Sequence, residues 1–262
     1  MTLQGTADFS FKGAVVLVTG AASGIGQAQA RAFLAAGACV FAVDIQDDFS
    51  ALLTAAKVIG AKAVSRLVCW TADVSQPEQC LSTAAKCREQ FGPVSILLNT
   101  AGKLDGYKNI LETDEDLWHT VLRTDLDSMF YLTKALLPDM LAAGQGTVIN
   151  MASVASFVGG GGGIAYTTAK HAVAGFTKQL ALDHGAAGIR VLALAPGAIR
   201  TPMNAADFAG DAAMAKWVAE ETPLKRWAEP EEVAEVTLFA ASRGAGYMQG
   251  NIIEIDGGWL LK

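Results

Sequence analysis

The sequence has no dense run of one charge. Its 20 Lys and Arg residues are scattered among 26 Asp and Glu residues, for a net charge of −6 and a pI near 5.1. Without a Lys/Arg cluster, nucleic acid and anionic membrane are not expected partners. No apolar run reaches the roughly 18 residues of a bilayer-spanning helix. Residues 1–10 contain no apolar run preceded by positive charge, so a signal peptide is not expected either. Only four cysteines occur, Cys39, Cys69, Cys80 and Cys87, and none has metal-type spacing. They read as reduced thiols of a cytoplasmic protein, with Cys39 and Cys69 in apolar runs. His119, His171 and His184 are far apart in the chain, and no metal site is expected. Repeats, linkers and composition breaks are lacking too, so residues 1–262 read as one domain.

What is present is apolar: 52% of the 262 residues are hydrophobic, enough for one large α/β core. The organising stretch is AVVLVTGAASGIG, residues 14–26. Its apolar first half suits a parallel strand buried on both faces. Gly20, Gly24 and Gly26 then let backbone amides approach an anion, and a helix starting there aims its partial positive charge at the same place. Strand, turn and helix together make a candidate pyrophosphate cradle. The alternative is a glycine turn that only packs helix on strand, and the spacing is not the usual G-x-G-x-x-G.

Further along, helical and strand-like patterns alternate. Helices are predicted over residues 27–36, 47–60, from an opening at 75–78 to 91, 113–143 (one long helix), 165–184 and from Pro230. Strands are predicted over 39–43, 64–70, 96–98, 148–151, 190–195 and 251–255. Residues 75–78 have capping-box spacing. This alternation implies a doubly wound, Rossmann-like parallel sheet of about seven strands. Asp44 ends the second strand, about 20 positions after the glycine turn, where a carboxylate accepts from both adenosine ribose hydroxyls and repels a 2′-phosphate. No basic residue follows it, and Ser23 precedes Gly24, so the site reads as NAD rather than NADP. A helix N-cap role for Asp44 is the alternative. Gly159 to Gly163 form a five-glycine run, read as a mobile loop or as drift. Residues 202–222 interrupt the pattern, and with Met203, Phe208, Met214 and Trp217 they read as a substrate lid or a plain surface helix.

Tyr166 and Lys170 stand four apart, one turn apart on one helix face. A phenol is a poor base at neutral pH, but an ammonium neighbour favours phenolate and lowers its pKa. Such a tyrosine takes or returns the proton of an alcohol. Ser153, on the loop after the fifth strand, is placed to hold the substrate oxygen.

Taken together these motifs resemble the short-chain dehydrogenase/reductase family from Lys12 onwards. They comprise the TGxxxGIG turn at Thr19 to Gly26, Asp44, Asp73, N-x-A-G at Asn99 to Gly102, Ser153, YxxxK at Tyr166 to Lys170, and Pro196-Gly197. The resemblance implies an NAD-dependent oxidoreductase acting on a secondary alcohol or ketone, such as a sugar, polyol or small carbonyl compound, and a homotetramer. It implies Tyr166 as acid/base, Lys170 on the nicotinamide ribose, and Ser153 orienting the substrate carbonyl. Cofactor contacts are implied for Gly20, Ser23, Gly24, Ile25, Gly26, Asp44, Ile45, Asp73, Val74, Asn99, Ala101, Gly102, Tyr166, Lys170, Pro196, Gly197, Ile199 and Thr201. Asp125 stands where the family usually has Asn supporting a water relay to the lysine. An ionised carboxylate accepts but does not donate. Activity is nonetheless expected. The alternatives are a 3-oxoacyl-[acyl-carrier-protein] reductase-like enzyme, which calls for a basic patch, and a non-catalytic NAD(H)-sensing protein.

Overall fold

The computed structural model describes residues 8–261. Among the described residues are seven strands, β1 (Val15–Thr19), β2 (Cys39–Asp44), β3 (Leu67–Thr71), β4 (Ile96–Asn99), β5 (Gly146–Met151), β6 (Ile189–Pro196) and β7 (Ile252–Ile255). All pair in parallel, in the order β3-β2-β1-β4-β5-β6-β7. The helices are α1 (Gly24–Ala35), α2 (Ser50–Ile59), α3 (Ala61–Val64), α4 (Pro77–Phe91), α5 (Glu115–Leu122), α6 (Ser128–Ala143), α7 (Ile164–His184), α8 (Ala213–Glu221) and α9 (Pro230–Ala241). Among the described residues, no helix is long and apolar enough to cross a membrane.

The sheet is buried on both faces, as its apolar strands require. In β1 the alternation of a pleated strand sends Val16 and Val18 into one hydrophobic cluster and Val15 and Leu17 into the other. α1 packs beside α9, and α4 beside α6. Chain order reverses between β1 and β4, the switch point outside whose strand ends α/β proteins bind ligands.

Three local expectations change. The long helix predicted over residues 113–143 starts at Glu115, because Asp114 caps it by accepting from the Leu117 amide at 2.8 Å. It then passes through a wider π turn at Arg123–Asp127 before α6, a feature that concentrates at functional sites. The third strand starts at Leu67 rather than residue 64, since α3 winds one extra turn. The Arg66 guanidinium fixes that junction by donating to the carbonyls of Leu34 and Ala38. The capping box at 75–78 does not form. The Asp73 carboxylate takes the Ser75 amide instead, at 2.9 Å, and α4 begins at Pro77 without a side-chain cap.

Candidate active site

The carboxyl ends of β1, β4, β5 and β6 border a cavity of about 1050 Å³. α1 opens onto it with no side-chain cap at Ser23 and no acidic residue in its first turn, so its free amides present partial positive charge there. Close packing makes Gly26 obligatory: a Cβ would stand 2.2 Å from the Gly20 carbonyl oxygen. At the other end, Asp44 accepts from the Ala22 amide and the Gln46 amide, each at 2.9 Å. It caps no helix, because α2 begins only at Ser50. Each of its oxygens keeps a lone pair for a ribose hydroxyl. An uncapped helix terminus, a cradle with no room for a side chain and a carboxylate at its far end fit an extended dinucleotide.

Gly20, Ser23, Gly24, Ile25, Gly26, Asp44, Ile45, Asp73, Val74, Ala101 and Gly102 line this cavity, as do Pro196, Gly197, Ile199 and Thr201. Asn99 does not. The strand alternation turns its side chain into the sheet, where Nδ2 donates to Asn150 Oδ1 at 2.9 Å and Asn150 in turn donates to Thr177. Thr19 holds the following turn, its Oγ1 accepting from the amides of Thr100 and Ala101 at 2.9 and 3.0 Å. Thr100 donates to Gln29 on α1 at 2.6 Å.

Ser153, Tyr166, Lys170 and Asp125 converge on the same cavity. Ser153 follows β5, and its Oγ accepts from the Ala155 amide at 3.1 Å. Ser156, in the same 3-10 turn, donates to the Lys170 carbonyl at 2.6 Å, which ties the serine loop to α7. The Ser153 hydroxyl lies close enough to the Tyr166 hydroxyl to favour its phenolate form. Lys170 Nζ donates to the Met151 carbonyl at 2.9 Å, lies 3.1 Å from Asp125 Oδ2 and stands 5.3 Å from the centre of the Tyr166 ring. Asp125 Oδ1 accepts from the Lys103 amide at 2.7 Å. The π turn thus delivers a carboxylate to a fully enclosed ammonium: Asp125 is 0% exposed and Lys170 2%.

Burial pushes the Asp125 carboxyl up, with Lys170 and the Lys103 amide opposing. The contacts favour the ion pair, since both carboxylate oxygens face donors. Burial pulls Lys170 down, but Asp125 and Tyr166 more than offset it and keep the ammonium charged. For Tyr166 the sign differs from the sequence expectation. Burial pushes the phenol above its ordinary value, and Asp125 and Asp105 add to that. Lys170 and Ser153 pull it back without reversing it. With the phenolate as the base in alcohol oxidation, the role the family resemblance implies, a raised phenol places the rising limb of oxidation at higher pH. Asp125→Asn removes one of the charges that raise it. The limb of kcat/KM for oxidation is therefore expected to move to lower pH, and carbonyl reduction to fade at lower pH. A pH profile of both directions in both proteins checks this.

The glycine run packs closely at its C-terminal end. A Cβ on Gly162 would stand 2.4 Å from Tyr166 Cδ1, so the strap passes close to that ring at this residue. Residues 202–222 fold as a 3-10 segment (Pro202–Phe208) followed by α8. Met203, Asp207, Met214 and Trp217 from this region face the cavity, whereas Phe208 packs on Trp227 with centroids 4.9 Å apart. Asp105 and Tyr107 carry no motif, and only the structure brings them to the site. Tyr107 lines the cavity with φ of 59°, a backbone region unusual for a tyrosine.

Residues 20–260 match the family model described as enoyl-(acyl carrier protein) reductase. The chain is 37% identical to 2-dehydro-3-deoxy-D-gluconate 5-dehydrogenase of Bacillus subtilis over 254 residues, 97% of each protein. It is equally similar, at 37% over 255 residues and 97% of each, to galactitol 2-dehydrogenase (L-tagatose-forming) of Cereibacter sphaeroides. Among solved structures, a Beutenbergia cavernae protein described as an NAD(P)-dependent gluconate 5-dehydrogenase, with NADP bound at low occupancy, superposes with a TM-score of 0.89. That pair is 34% identical and covers 98% of this chain and 100% of the other. On fold, motifs and these similarities, the chain belongs to the short-chain dehydrogenase/reductase family and is an oxidoreductase acting on an alcohol or ketone.

Proposed function

We propose that this protein, working as one nucleotide-binding domain, oxidises a secondary alcohol of the sugar or polyol type with NAD, reversibly. The observation that carries the reading is the convergence of Ser153, Tyr166 and Lys170 on the dinucleotide-shaped cavity. The nicotinamide, when bound, supplies or accepts the hydride. Ser153 holds the substrate oxygen by its hydroxyl, and Tyr166 takes the proton from that oxygen in oxidation and returns it in reduction. Lys170 cannot drift, because Met151 and Asp125 grip its ammonium. Its fixed charge stabilises the phenolate. In this reading Pro196, Gly197, Ile199 and Thr201 flank the nicotinamide, and residues 202–222 close as a lid whose Met203, Met214 and Trp217 exclude water.

NAD rather than NADP is supported by the Asp44 carboxylate, with Ile45 and Gln46 rather than a cation beside it. A 2′-phosphate there meets like charge, which costs several kcal/mol. kcat/KM is expected to favour NAD⁺ over NADP⁺ by at least about tenfold, and Asp44→Ser to shrink that ratio. Equal use of the two coenzymes by the parent would refute the preference. A homotetramer and a cytoplasmic location belong to the same reading. Exposed Phe130 and Leu141 on α6 and Leu182 on α7 support the first, and four free thiols the second.

A further inference from the structure

α7 carries both Tyr166 and Lys170, yet its own N-cap, Gly163, offers no side chain, and its first turn contains no acidic residue. Its leading amides find acceptors elsewhere. Asp105, only 2% exposed and far away in sequence, accepts from the Gly163 amide through Oδ1 at 2.8 Å and from the Tyr166 amide through Oδ2 at 2.9 Å. The Lys108 carbonyl accepts from the Ile164 amide at 3.0 Å. The seat is tight: a Cβ on Gly163 would stand 2.4 Å from the Lys108 oxygen and 2.6 Å from Asp105 Oδ2. Asp105 Oδ1 also accepts from the Tyr107 amide at 3.2 Å, which bends that residue onto the cavity wall. One buried carboxylate thus joins the loop after β4, the glycine strap and the catalytic tyrosine's own backbone.

We propose that Asp105 is a positioning residue for proton transfer, fixing the first turn of α7 so that the Tyr166 hydroxyl stays opposite Ser153. The inference rests on Tyr166 being the proton-transfer group. Asp105 does not touch the reacting atoms. It acts through the Gly163 and Tyr166 amides at the start of α7 and through its charge. The charged and titratable groups around Tyr166 are Lys170 on α7, Asp125 on the π turn, and Asp105 and Tyr107 on the loop after β4. Asp105 and Asp125 both oppose phenolate formation, whereas Lys170 favours it.

Two variants separate position from charge. In Asp105→Asn the carboxamide aims its own N–H either at the Tyr166 amide or at those of Gly163 and Tyr107, and loses the charge. In Asp105→Glu the charge remains, but the longer stem cannot meet both amides at the same reach. Both are expected to lose kcat by about 10- to 100-fold, the scale of an ångström misplacement, with the dinucleotide dissociation constant unchanged. Only Asp105→Asn is expected to shift the rising limb of oxidation to lower pH. Wild-type kcat in either folded variant would overturn the proposal, as would a loss of kcat no larger than the loss of folded or dinucleotide-binding protein. If Asp105→Asn does not fold, the kcat of Asp105→Glu decides. Absence of turnover in the parent itself across sugar, polyol and alicyclic alcohols would instead sink the catalytic reading beneath it.

Discussion

Lys170→Met is expected to abolish turnover and to lower the unfolding free energy by about 3–5 kcal/mol, the cost of stranding a buried charge. The stranded group is Asp125, fully enclosed and left with the Lys103 amide as its hydrogen-bond partner. That loss is a large share of the roughly 5–15 kcal/mol that keeps a domain folded. Combining it with Asp125→Asn removes the unpaired charge. The double variant is expected to regain most of the stability and none of the activity. Urea melts and turnover on the four proteins of the cycle test this. If the two changes add without coupling, the ion pair is not what holds this end of the cavity together.

Tyr166→Phe is expected to lower kcat by about 10²–10⁴-fold, the usual worth of a positioned acid/base. The fold should tolerate it. The ring packs on Val121, Ala165 and Ala169 and beneath the glycine strap, and phenylalanine keeps those contacts. What is lost is the hydroxyl and its interaction with Ser153. Dinucleotide affinity, measured by NADH fluorescence, is expected to stay within a few-fold of the parent. A matching collapse of affinity would move Tyr166 from the chemistry to the binding of the cofactor.

Local pattern made most of this site readable in the chain. Apolar strands, glycine turns and the four-residue spacing of Tyr166 and Lys170 are short-range signals, and each lies where its pattern puts it. Asp44 was readable too, because a carboxylate at a strand end follows from counting positions. What stayed hidden depends on partners distant in sequence. Asp105 meets Gly163 and Tyr166 across 58 and 61 residues, and Thr19 reaches the turn after β4 across 81. The direction of the Tyr166 shift needed two further facts, the depth of burial and the approach of Asp125 from a π turn. Helical periodicity gives no sign of such a turn. The direction of the Asn99 side chain was not legible either, because a motif names a neighbourhood, whereas the pleat decides which way a side chain points.

A single-turnover pH profile addresses the phenol's role most directly. Reduction of NAD⁺ by a substrate alcohol would be followed in the parent and in Tyr166→Phe across neutral to alkaline pH. The parent is expected to speed up with rising pH and then level off, while the variant stays slow and flat. A variant that keeps both the rate and the rising limb would contradict the assignment of Tyr166 as the group that carries the proton.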